Sequence, residues 1–163
     1  MRYLFTPKRF AELELMIVQL REKADQIATS GFKSGLEQDG HHDEGYQLSL
    51  REIAIYDRRA NDLEEIRRNV EVVEPLEQNE VVQFGNGVEV VYSNGEKIRY
   101  IMEGYVFDSS ENSISVNSPL GQAIIGAKTG ESRSFMVGDK NIVVTVGRIF
   151  PPSAQKIFAS NNF

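Results

Sequence analysis

The residues with the densest potential for chemistry lie in Glu37-Gln38-Asp39-Gly40-His41-His42-Asp43-Glu44-Gly45, which holds four carboxylates and two imidazoles in nine residues and no Lys or Arg. His41 and His42 are adjacent, so their side chains diverge, and neither has the i, i+4 partner of a helical zinc pair. A histidine titrating near neutrality would make the charge of this stretch depend on pH. That hypothesis fails if a His41→Ala, His42→Ala variant keeps the same pH profile of activity. For Asp39, Asp43 and Glu44 the plain alternative is a solvated acidic turn, with Asp43 or Glu44 favouring the positive end of a following helix. The chain has no cysteine, hence no disulfide frame, thiolate zinc site or cysteine nucleophile. No Ser, His and Asp grouping suggests a covalent nucleophile. Gly85, Gly87, Gly95 and Gly138 read as turn glycines and form no phosphate loop.

The elements on either side of this acidic loop are helical. Thr6-Pro7 is a start signal, a hydroxyl able to cap free amides followed by a residue whose fixed φ suits the first turn. From there Phe10, Leu13, Ile17, Leu20, Ala24 and Ile27 recur at alternating spacings of three and four, the seam of a coiled coil. Gly31 and Gly35 weaken the pattern near its end. After the loop, Tyr46, Ile53, Tyr56, Ala60, Leu63 and Val70 fall mostly on one face, and the spacing predicts a second helix to about Asn69, ahead of Glu74-Pro75. The tyrosines are expected to pack within the hairpin. Two helices of this size at 1.5 Å per residue make an antiparallel hairpin about 40 Å long, with the acidic loop at its tip.

Beyond Val72 the pattern changes to short β-branched or aromatic runs: Val81-Val82-Gln83-Phe84, Val88 to Tyr92, Ile98 to Ile101, Tyr105-Val106-Phe107, Ser113 to Val116 and Ile142 to Val146. Gly85-Asn86-Gly87, Ser93-Asn94-Gly95 and Val137-Gly138-Asp139 separate them as turns. Ser118-Pro119 opens a short capped helix ending at Gly126. The tail from Pro151 has little periodicity and is expected to be loosely held. The fold class expected is therefore α+β. An N-terminal antiparallel two-helix coiled coil, residues 1–75, precedes a small antiparallel β-sheet domain with one short helix, residues 76–163.

Composition narrows the function. The net charge of −6 over 163 residues argues against free, nonspecific nucleic-acid binding, which needs a basic face. Residues 1–75 carry 11 basic and 15 acidic side chains and residues 76–163 carry 7 and 9, so the halves hold −4 and −2. The N-terminus lacks a secretory apolar region, and nowhere do about 18 apolar residues run together as a membrane span requires. A soluble cytoplasmic protein is the expectation.

Several strings now carry a resemblance. Ile114-Ser115-Val116-Asn117-Ser118-Pro119-Leu120 followed by Ile124-Ile125-Gly126, together with Asn69-Val70-Glu71-Val72-Val73, Thr6-Pro7 and Tyr46, resemble the Gre family of bacterial transcript-cleavage factors (GreA/GreB) over nearly the whole chain. The resemblance implies an FKBP-like C-terminal domain that docks on the rim of the RNA polymerase secondary channel, while the coiled coil passes down the channel. Tip carboxylates then help hold a second Mg²⁺ and orient a water, so that the polymerase cuts the 3′ end of a backtracked transcript. The chemistry is sound, because Mg²⁺ takes carboxylate oxygens and two metals bracketing a phosphodiester stabilise attacking and leaving oxygens. The factor would be no enzyme itself: a monomer lending ligands, holding no metal stably alone and meeting nucleic acid only through the polymerase.

Residue by residue, Asn117, Ser118, Pro119 and Leu120 match the docking motif. Asp39, Asp43 and Glu44 are the candidate tip ligands. The family tip is an Asp, two residues, a Glu, then Asn-Ala-Glu-Tyr. Counted back from Tyr46 without a gap, Asp39 falls on the family Asp and His42 on the family Glu; with one residue deleted, Asp43 or Glu44 takes the Glu position. That departure keeps open a Gre-like channel occupant that regulates or inhibits polymerase without stimulating cleavage. A third reading, a prolyl isomerase or chaperone like its fold relatives, ranks lowest, since fold alone does not carry function.

Overall fold

A computed structural model of the chain describes residues 2–35, 43–107 and 112–157. These form two compact units, one spanning Lys8–Val70 and the other made of Arg2–Pro7 with Glu71–Phe163.

The first unit is a pair of helices, α1 (Pro7–Gly35) and α2 (Asp43–Arg68). Helix α1 begins at the proline that the local signal marked and continues through Gly31, because one glycine costs only about 1 kcal/mol against the rest of a long helix. The seam residues Leu13, Ile17 and Ala24 of α1 and Ala60 and Leu63 of α2 are buried, while Phe10, Leu20, Ile27, Ile53 and Tyr56 are half-buried. Burial of each large aliphatic is worth about 1.5–3 kcal/mol, and this drives the pairing. Polar contacts set its direction. Arg67 near the end of α2 lies 3.9 Å from Glu14 near the start of α1. Further along, Arg21 Nη1 donates to Asp57 Oδ1 at 2.7 Å and Arg21 Nη2 to Asn61 Oδ1 at 2.6 Å and Glu64 Oε1 at 3.2 Å. Lys23 Nζ sits 5.8 Å from the Tyr56 ring centroid. The helices are thus antiparallel. Bonds to Asp57 and Glu64 raise the Arg21 pKa further above its already high ordinary value. Tyr46 is less enclosed than expected, 49% exposed where Tyr56 is half-buried. It sits in the first turn of α2, before the buried seam begins.

The second unit holds two sheets. Strands β1 (Tyr3–Phe5) and β2 (Val70–Val72) pair as a small ribbon. The main sheet contains β3 (Gly87–Tyr92), β4 (Lys97–Glu103), β5 (Ser113–Ser115), β6 (Ser132–Val137) and β7 (Lys140–Phe150), in the order β5-β4-β3-β7-β6. Helix α3 (Pro119–Ile124) lies between β5 and β6 in the chain. Its Leu120 and Ile124 join Val82, Val88, Val90, Met102, Ile114, Val144 and Val146 in one core. The β3–β4, β3–β7 and β6–β7 pairs are antiparallel, but β4 and β5 run parallel, so the sheet is mixed rather than wholly antiparallel.

Other differences have identifiable causes. Residues 81–84 form no strand. Asn86 and Gln78 side chains occupy backbone groups there, and Val82 pairs singly with Ala127 and Gly126. Residues 105–107 form no strand either: Tyr105 meets Tyr3 edge-on at 4.9 Å, and Phe107 stacks on Phe5 at 6.0 Å. The aromatic run serves packing against β1, and Gly104 leaves room there, since a Cβ would strike the Leu4 carbonyl oxygen. Strand β6 was not apparent from its residues, Ser-Arg-Ser-Phe-Met-Val, which alternate weakly; its ladder with β7 holds it. The tail up to Ile157 is better anchored than expected, and residues 158–163 lie outside the described residues. Pro152–Ile157 is a 3₁₀ helix, and Ser153 donates from its N–H (2.9 Å) and Oγ (3.0 Å) to the Glu77 carboxylate.

Candidate functional site

The Asn117 to Leu120 corner is built by hydroxyls. Ser118 caps α3, its Oγ accepting the Gly121 N–H at 3.0 Å and donating to the Ser115 carbonyl at 2.7 Å. Pro119 follows in the first turn, where its missing N–H leaves nothing unsatisfied. Ser115 Oγ donates to the Gly104 carbonyl at 2.9 Å and accepts the Asn117 N–H at 3.2 Å. The corner is tight: a Cβ on Gly121 would collide with the Ser115 carbonyl oxygen.

The result is a turn with restricted freedom that presents Asn117 and Pro119 to solvent, Ser118 being half-buried. Leu120, the fourth residue of the motif, differs in its surroundings. At 8% exposed its side chain lies in the core and anchors α3, so it supports the corner from beneath.

A family profile described as "Transcription elongation factor, GreA/GreB, C-term" matches residues 77–150, which include this corner. A "Transcription elongation factor GreA" of Mycolicibacterium smegmatis is 32% identical over 139 residues, covering 82% of both chains. The chain belongs to the GreA/GreB family. A GreA of Mycobacterium tuberculosis is 33% identical over 140 residues, with 82% of each chain covered. Among solved structures, GreA factor homolog 1 (Gfh1) of Thermus thermophilus aligns with a TM-score of 0.43 and 21% identity, over 91% of this chain and 99% of that one.

Against this GreA/GreB background the other predicted residues divide. Asp39, His41 and His42 lie outside the described residues, as do the side chains of Asp43 and Glu44, whose backbone opens α2. Among the described residues no group of three His, Asp or Glu side chains is arranged to hold a metal ion, and no helix is long and apolar enough to cross a membrane.

Two structural organisers escaped the sequence reading. Ser115 braces the corner, and a signal for it existed in the Ser115–Ser118 spacing, which suits a hydroxyl-closed turn. Asn86, fully buried, carried the signature of a hairpin turn and nothing that announced a buried amide.

Proposed function

We propose that this member of the GreA/GreB family is a transcription elongation factor that binds RNA polymerase at its secondary channel and stimulates cleavage of backtracked transcripts. The observation that carries the reading is the similarity to named elongation factors over 82% of the chain, across both units. In this reading Asn117, Ser118 and Pro119, backed by the buried Leu120, make the docking corner, and Asp39, Asp43 and Glu44 are the tip ligands. Carboxylate oxygens are the donors Mg²⁺ prefers, and the ion, shared with the polymerase, would supply charge stabilisation at the scissile phosphodiester. The chain's own part is to position donors and orient water; the polymerase remains the enzyme. The protein works as a monomer in the cytoplasm and reaches nucleic acid only through the polymerase.

The test is a stalled, backtracked polymerase complex incubated with the chain and Mg²⁺. Short 3′ fragments are expected, and they should vanish with an Asp39→Ala, Asp43→Ala, Glu44→Ala variant that still binds. Binding without cleavage by the unmodified chain would instead support a regulator or inhibitor, a reading favoured by His42 standing at the family Glu position in the ungapped count. Absence of polymerase binding would overturn both.

A further inference from the structure

We propose that Asn94 is a self-modification site: the Gly95 backbone nitrogen displaces its side-chain amide, while the chemically equivalent Asn86-Gly87 pair is kept inert by the fold. Both pairs are Asn-Gly, the dipeptide in which the following residue has no Cβ to obstruct approach to the side-chain carbonyl carbon. Sequence alone ranks them equally. Their environments do not.

Asn94 lies on the exposed turn between β3 and β4, and nothing stands within 4 Å of where a Gly95 Cβ would be. The Glu96 N–H donates to Asn94 Oδ1 at 3.0 Å. That bond polarises the carbonyl and is placed to stabilise the negative charge its oxygen gains on attack. Asn94 Nδ2 donates to Glu96 Oε2 at 3.3 Å, which sets a hydrogen-bond acceptor beside the departing nitrogen. The Gly95 N–H is donated to the Tyr92 carbonyl at 2.9 Å, so attack needs this turn bond to open, a low-cost fluctuation at an exposed tip.

In the reaction the Gly95 N–Cγ bond forms as the Cγ–Nδ2 bond breaks. The Gly95 proton leaves with the amide as ammonia, giving a succinimide. Water then adds to either carbonyl and opens the ring to aspartate or isoaspartate, with no oxidant or reductant involved. Each product adds a negative charge beside Glu96, and isoaspartate also lengthens the main chain of the hairpin by one carbon.

Asn86 is 0% exposed and fully engaged. Its Oδ1 accepts from Gln78 Nε2 at 3.0 Å and the Gln83 N–H at 2.9 Å; its Nδ2 donates to the Gln78 carbonyl at 2.6 Å and the Phe150 carbonyl at 3.0 Å. Gly87 is paired on both sides, opposite Ile101 and Phe150. Reaction there requires several of these bonds to open together.

The test is prolonged incubation of the folded full chain at mildly alkaline pH, followed by fragment-ion sequencing and isoaspartyl methyltransferase labelling. The amide-to-acid mass gain is expected at Asn94, with Asn86 reacting at least about tenfold more slowly because it needs a costlier opening. In urea the two sites should react at comparable rates, and Asn94→Ser should remove the gain from the folded chain. Equal rates at both sites in the folded chain would overturn the proposal, as would an Asn94 that stays intact while the urea-unfolded chain reacts.

Discussion

Asn86 and Gln78 are interlocked: the Asn86 amide donates to the Gln78 carbonyl at 2.6 Å while the Gln78 amide donates back to Asn86 Oδ1 at 3.0 Å. Through the further bond from Asn86 Nδ2 to Phe150, this pair ties the segment before β3 to the end of β7. Every hydrogen-bonding position of the buried side chain is in use, which is what lets a polar group sit in the interior without penalty.

Asn86→Ala should therefore destabilise the sheet unit by about 2–4 kcal/mol, since it strands the Gln83 N–H and two carbonyls in a buried site. Asn86→Asp should fare little better, because a carboxylate cannot donate to the Gln78 and Phe150 carbonyls. Denaturant midpoints followed by circular dichroism measure both. A loss below about 0.5 kcal/mol for the alanine variant would contradict the role assigned here.

The corner at Asn117 separates presentation from support. Ser118→Ala should cost about 1 kcal/mol of stability through the lost cap. Gly121→Ala should cost more, because the new methyl group meets the Ser115 carbonyl and neither backbone can yield cheaply. Asn117→Ala, at an exposed position, should change stability by no more than about 0.5 kcal/mol while weakening polymerase binding. Paired melting and binding measurements on the three variants check this. An Asn117→Ala chain with normal affinity would remove that residue from the docking surface.

Tyr100 and Tyr92 share a hydroxyl–hydroxyl bond of 3.0 Å beside the core. Burial, aided by that bond, raises the Tyr100 pKa well above its ordinary value of 10.0. The folded chain thus keeps the phenolic proton when the unfolded chain has begun to lose it. The stabilisation is complete below about pH 10 and drains away as pH climbs above that value. Tyr100→Phe should cost about 1 kcal/mol near neutrality and flatten this alkaline decline. Melting temperatures recorded across the alkaline range for both chains decide the matter; parallel declines would exclude Tyr100 as the cause.

The candidate site was partly legible for the same reason that parts of the fold were. Ser118-Pro119 announces a helix start wherever it occurs, because capping is settled by neighbours within one turn. Whether the side chain at position 120 faces a partner or the core depends on what lies across from it, and only the packed domain revealed the answer.

What the sequence determined by itself was periodic and local: the spacing of Leu13, Ile17 and Ala24, the β-branched runs that became β3, β4 and β7, and the capped turn into α3. Such patterns follow from repeat distances along a single element. Tertiary structure alone decided that Phe5 would stack on Phe107, that β4 and β5 would run parallel, and that one of two Asn-Gly pairs would be buried with its amide bonded to the Phe150 carbonyl. Each of these joins groups brought together by chain reversal, where the stabilising partner leaves no trace in the neighbouring residues.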